Sequence, residues 1–196
     1  NALLDLMLTL ALQPSAEAIY TDEDCIDESG KRGDPRFKPA WSPDLLQAHD
    51  YVGGLALLRA ATERTLGGWR PETLGAHQQD LMLRLGEVAA PGTIIHLAKI
   101  LVHRDAAPVA AENAAGSMRA LKDHAARRGL DAEAGFDDVR ALGRLRYRVP
   151  QPAPRVSLVI PTRDNAALLE TCIRSIRERT SYPEYEILII DNGSVE

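Results

Sequence analysis

The chain mixes stretches where apolar residues return every three or four positions with short runs where they alternate or stand side by side. Leu3, Leu6, Met7 and Leu10 recur at helical spacing and Pro14, which cannot continue a hydrogen-bond ladder, follows them, so a helix is predicted over Asn1–Gln13. Ala18-Ile19-Tyr20 predicts a short strand running into the acidic segment Thr21–Asp27, and Glu28-Ser29-Gly30 supplies turn chemistry. Pro35, Pro39 and Pro43 push the residues before them away from helix, and Lys31–Asp50 therefore reads as a long loop. A strand and a short helix follow over Tyr51–Leu66, broken by Gly67-Gly68-Trp69; Gln78–Val88 reads as helix and Thr93–Val102 as strand.

Ala110–Arg128 is alanine-rich with helical period and closes at Gly129, a cap position. Leu145, Tyr147 and Val149 alternate with Arg144, Arg146 and Arg148, the pattern of a half-exposed strand, before Pro150, Pro152 and Pro154 mark a linker. Beyond it the signal sharpens. Val156–Ile160 and Ile187–Ile190 are continuous apolar runs, and between them Ala166–Arg179 sets Leu169, Cys172, Ile173 and Ile176 on one face and Arg174, Arg177 and Glu178 on the other. This is a βαβ unit, and the uniform strands predict burial on both faces. The fold class is α/β.

Composition narrows the function. With 45% hydrophobic and 26% charged residues the chain is of ordinary globular type, and a formal net charge of −5 offers no basic stripe for nucleic acid. Two cysteines, Cys25 and Cys172, make neither a disulfide framework nor a zinc site, which points to a reducing, cytoplasmic setting. The chain opens at Asn1 without a methionine and stops soon after a strand-like run, so it reads as cut at both ends.

Candidate chemistry gathers at strand ends. In open α/β sheets ligands bind at the carboxyl ends of strands, where Thr162, Asp164 and Asp191 would meet, although no Gly-x-Gly-x-x-Gly follows the first strand. The helix-capping reading of Asp164 and Asn165 competes with this. Asp22-Glu23-Asp24 reads either as a holder of a hard cation or as a solvated acidic turn.

The run VSLVIPTRDNAALLETCIRSIRERTSYPEYEILIIDNGS resembles the opening of family-2 glycosyltransferase domains of the GT-A fold. Upstream, AEAIYTDEDCIDESGKRGDPRFKPAWSPDLL, LGGWRPE and GAHQQDLMLRL resemble the second half of such a domain in multidomain polysaccharide-assembling members. The resemblance implies residues 1–109 as the C-terminal half of one GT-A domain, 110–154 as helix, short strand and linker, and 155–196 as the nucleotide-binding βαβ of the next. It implies a nucleotide-sugar donor contacted by Pro161, Thr162, Asp164 and Asp191. A glycan or lipid-linked acceptor would lie near Asp22, Asp24 and Trp69, with peripheral membrane association through that acceptor.

The resemblance also implies a divalent cation, Mg²⁺ or Mn²⁺, whose main Asp-x-Asp would precede Asn1, with His103 matching a late histidine that reaches the metal in some members; a structural histidine is the competing reading. The family's general base falls at Gln78, and an amide cannot accept a proton from a sugar hydroxyl. Either the first domain is weakened or His77 or Asp80 has taken the role. A degenerate, glycan-binding or scaffolding domain is the alternative function, and this chain by itself is expected to show no turnover.

Overall fold

The computed structural model describes residues 1–105 and 114–195, which divide into two compact units, Asn1–Tyr147 and Arg148–Glu196. The first contains, in order, α1 (Ala2–Leu12), β1 (Ala18–Ile26), β2 (Arg32–Arg36), α2 (Pro43–Ala48), β3 (Ala56–Leu58), α3 (Ala60–Leu66), a 3-10 turn at Pro71–Thr73, α4 (His77–Val88), β4 (Ile94–Asp105), α5 (Ala114–Arg127), β5 (Ala132–Asp137) and β6 (Leu142–Tyr147). The second contains β7 (Val156–Thr162), α6 (Ala166–Arg179) and β8 (Tyr185–Asp191).

β1 is the spine of the first unit. One side of it pairs antiparallel with β3 through Ala18–Tyr20 and with β2 through Glu23–Ile26, and the other pairs parallel with β4 along its whole length. Ala18 and Tyr20 point into a core built with Leu46 of α2, Met82, Leu83 and Leu85 of α4, and Ala120 and Leu121 of α5. Ile19 points the other way, onto Leu6 of α1. The alternation of side chains along a strand buried on both faces thus produces three layers, helix, sheet and helices, as expected of an α/β domain. α1 seats through Leu6 and Leu10, while Leu3 and Met7, expected on the same face, are exposed.

The expected long loop over Lys31–Asp50 is instead partly ordered as β2 and α2. The three prolines are compatible with this: Pro35 lies in β2, an edge strand that tolerates a missing donor, and Pro43 opens α2 at its first turn, where no intrahelical partner is needed. Likewise Leu142–Tyr147 is one arm of a β5–β6 hairpin, with the pairing running from Ala132↔Tyr147 to Asp137↔Leu142. The hairpin packs so closely on the rest of its unit that a Cβ on Gly143 would come within 2.7 Å of the Gln47 carbonyl. The start of the helix expected at Ala110 falls outside the described residues; from Ala114 on it packs on α4, where Glu87 accepts from Arg127 Nε at 2.7 Å and lies 2.6 Å from His124 Nδ1.

In the second unit β7 and β8 pair parallel, Val156↔Tyr185 through Thr162↔Asp191, and α6 crosses between them. Leu169, Cys172, Ile173 and Ile176 are its half-buried face, as the periodicity predicts. Burial of the strands on both faces is not observed. Val159, Leu188 and Ile190 stay about half exposed, because within this unit a two-stranded sheet carries one helix and leaves its other face open.

Candidate functional sites

At the carboxyl ends of the second unit's strands, Thr162 and Asp191 are register partners, and the Asn192 N–H donates to the Thr162 carbonyl at 2.9 Å. Asp164 adopts a left-handed φ of 47°, a conformation aspartate tolerates better than most residues, and turns its carboxylate to accept from the Val195 N–H at 2.7 Å. Ser194 links the two acids. Its Oγ accepts from the Asp164 N–H at 3.1 Å and donates to Asp191 Oδ1 at 2.5 Å. These bonds from the Ser194 hydroxyl and N–H hold the Asp191 carboxyl below the usual aspartate range. Asn165 caps α6 by accepting from the Leu168 N–H, so the helix-capping reading is correct for Asn165 and not for Asp164. Pro161 pairs with Ile190 beside this lip. Ser194 had no assigned role in the sequence reading, although it stands in the same Asp-Asn-Gly-Ser motif as Asp191.

In the first unit Asp22, Glu23 and Asp24 are buried in β1, which overturns the solvated-turn reading. Their register opposite β4 jumps from Thr21↔Leu97 to Asp22↔Ile100 and then Glu23↔Val102, and such bulges re-aim side chains. Each acid then has its own partners. Asp22 accepts from the Lys38 N–H at 2.8 Å and lies 2.7 Å from His96 Nε2, whose ring stacks on Tyr20. Asp24 meets His103 Nδ1 and Arg32 Nε, which hold its carboxyl below the usual range. Burial pushes the Glu23 carboxyl up, but the Gly54 N–H, Lys38 and Arg104 outweigh it and the group stays low.

The cation-holding reading of the acidic run is not matched by this geometry. Among the described residues no three metal-ligating side chains converge, and His103 directs Nδ1 at Asp24 rather than joining a ligand group. These residues therefore do not fit a divalent cation as its principal ligands, and no chemical step is derived through one.

A cavity of about 540 Å³ opens beside Glu23 and is lined by Gly53, Gly54, Gln78, Arg36, Arg104 and Arg140 among others. Asp22 and Asp24 do not line it. Gln78, at the start of α4, donates from Nε2 to the Gly53 carbonyl at 2.6 Å. Asp80, one of the candidates for the missing base, is fully buried and ion-paired with both Arg70 and Arg84. Arg84 in turn donates to the carbonyls of Leu66 and Gly68, so Asp80 tethers the Gly-Gly-Trp loop instead of facing a ligand. His77 lies edge-on to the half-exposed Trp69, ring centroids 5.0 Å apart. Lys38 and Arg104 were missed as site residues, and Glu23 was read only as part of the acidic run; the signal available in sequence was only that a charged run sat beside apolar strand residues.

Residues 157–196 match the profile of the family described as Glycosyl transferase family 2. Over 205 residues the chain is 38% identical to the O-antigen biosynthesis protein RfbC of Myxococcus xanthus, a match covering 99% of this chain and 16% of that protein. Over 209 residues it is 38% identical to the uncharacterized protein y4gI of Sinorhizobium fredii (strain NBRC 101917 / NGR234), covering 100% of this chain and 22% of that protein. The chain thus spans less than a quarter of the length of either curated relative. The βαβ segment whose strand ends bring Thr162, Asp164 and Asp191 together is thus the part of the chain that is similar to glycosyl transferase family 2.

Proposed function

We propose that this chain serves a glycosyltransferase that moves a sugar from a nucleotide-diphosphate donor to a glycan or lipid-linked acceptor in cell-surface polysaccharide synthesis. The observation that carries the reading is the Ser194-bridged pair of carboxylates, Asp164 and Asp191, at the strand ends of the family-2 segment. An exposed carboxylate kept ionised at such a lip accepts hydrogen bonds from the ribose hydroxyls or the base of a nucleotide, and Thr162 beside it supplies a hydroxyl. The name of the Myxococcus relative, O-antigen biosynthesis protein, supports the polysaccharide context. A divalent cation, Mg²⁺ or Mn²⁺, would neutralise charge on the departing diphosphate; its principal ligands are not among the residues described. No described helix is long and apolar enough to cross a membrane, and we place the reaction on the cytoplasmic side, with a lipid-linked acceptor bringing the protein to the membrane surface.

The test is a nuclear magnetic resonance titration of the chain with a panel of nucleoside diphosphates. Saturable shifts at Thr162, Asp191 and Ser194, lost in Asp191→Ala, are expected. Absence of shifts with every nucleotide would remove the reading.

A second reading applies to the first unit. The Gln78 amide is committed to the Gly53 carbonyl and Asp80 is sealed between arginines, which favours a unit that binds its ligand without activating it. Turnover of a nucleotide-sugar by the chain alone would overturn this.

A further inference from the structure

The cavity beside Glu23 has an excess of cations over the carboxylate they share. Lys38 Nζ lies 3.3 Å, Arg104 Nε 3.1 Å and Arg36 Nη1 3.9 Å from Glu23 oxygens, three positive charges around one negative. Asp50 offsets part of this from the same wall, and Arg140, at the rim, is paired with Asp137. Lys38 is satisfied by Glu23 and the Val52 carbonyl. Arg104 Nε is close to Glu23 but out of line for a hydrogen bond, and its Nη2 is buried with no hydrogen-bond partner among the described residues. That nitrogen is closed off from the cavity, which meets instead the remaining exposed part of the Arg104 side chain and the half-exposed Arg36, and guanidinium groups presented to a cavity suit an anionic oxygen.

The rest of the wall suits a sugar. Gly53 and Gly54 keep the floor free of side chains, and the cavity volume falls in the range of small-molecule sites. The start of α4 reaches the cavity through Ala76 and Gln78 with no side chain capping it, which adds favourable potential for negative charge without defining the site.

We infer that this cavity binds an acidic sugar, one bearing a carboxylate or a phosphate, with the oxyanion held by Arg104 and Arg36 and the ring over Gly53 and Gly54. The inference deepens the second reading above by naming the ligand class, and rests on it only for the absence of turnover. The polar side chain that the start of α4 brings to this cavity is the Gln78 amide, which cannot take a proton from a sugar hydroxyl.

Glucuronate, glucose 1-phosphate and methyl glucoside, titrated separately into the chain and followed by nuclear magnetic resonance, test it without any nucleotide donor. The two anions should bind at least about tenfold more tightly than the neutral glycoside, and binding should weaken with salt. A preference between the anions identifies the carboxylate or the phosphate as the natural group. Arg104→Gln should cost about tenfold or more in anion affinity. If that variant fails to fold, Arg36→Gln, at a half-exposed position, should still weaken the anions and leave the glycoside unchanged. Equal binding of anions and glycoside, no anion binding, or full anion binding in both variants would overturn the inference. A failed nucleotide titration would not, since it reads the strand ends of the other unit.

Discussion

Gln78 gives its side-chain N–H to the carbonyl of Gly53, so the position at which the family resemblance expects a proton-accepting carboxylate holds a hydrogen-bond donor. A carboxylate there would face the carbonyl with no proton to offer. Gln78→Asp should therefore lower stability by about 1–3 kcal/mol and yield no gain in transfer. Thermal unfolding checks the first half, and a nucleotide-sugar hydrolysis and transfer assay the second.

Asp80 is expected to act through stability. A buried pair with Arg84 and a partly exposed one with Arg70 depend on it, and removing the shared carboxylate leaves the buried Arg84 charge uncompensated, so Asp80→Ala should cost about 3–5 kcal/mol in denaturant unfolding. Protease cleavage should appear near Gly67–Trp69, the loop that Arg84 holds through the Leu66 and Gly68 carbonyls.

Glu87 makes the first unit acid-sensitive. Burial raises its carboxyl, but hydrogen bonds and charge from His124 and Arg127 bring it down to about 2, against an ordinary value of 4.5. A depressed folded-state value means stabilisation that is present above pH 4.5 and lost as the pH falls towards 2, on the order of 3 kcal/mol. Urea unfolding measured across that window should show the loss, and Glu87→Gln should flatten it.

Ser194→Ala should release the Asp191 carboxyl, whose low value comes from the Ser194 hydroxyl and N–H. A carbon-detected titration should show it rising towards the ordinary aspartate range. Nucleotide affinity should fall with it, because Asp164 and Asp191 lose their common link.

Gly53 has a φ of +67°, and a Cβ built on it would sit 2.7 Å from both Glu23 Oε2 and Lys38 Nζ. Gly53→Ala should therefore disturb the Glu23–Lys38 pair and lower the melting temperature.

The βαβ unit was legible in the sequence because each of its cues is local. Continuous apolar runs mark β7 and β8, the spacing of Leu169, Cys172, Ile173 and Ile176 marks the inner face of α6, and the polar residues directly after each strand fall at one lip by topology alone. The α4 helix and most of β4 were equally clear. The region between Lys31 and Asp50 was not, since prolines forbid interior positions of helices and sheets but are admitted at an edge strand and a first helical turn, and only the neighbours decide which applies.

What the chain's order of residues determined is the set of elements, the alternation that sends Ala18 and Tyr20 to one core and Ile19 to the other, and the strand-end position of Thr162 and Asp191. The fate of the charges was decided by tertiary structure. Asp22 meets Lys38 and His96 across separations of 16 and 74 residues, and Asp24 meets His103 across 79. No local pattern encodes those pairings. They follow from the bulged register of β1 against β4, which turned an acidic run into three separately neutralised carboxylates and left Arg104 facing a cavity.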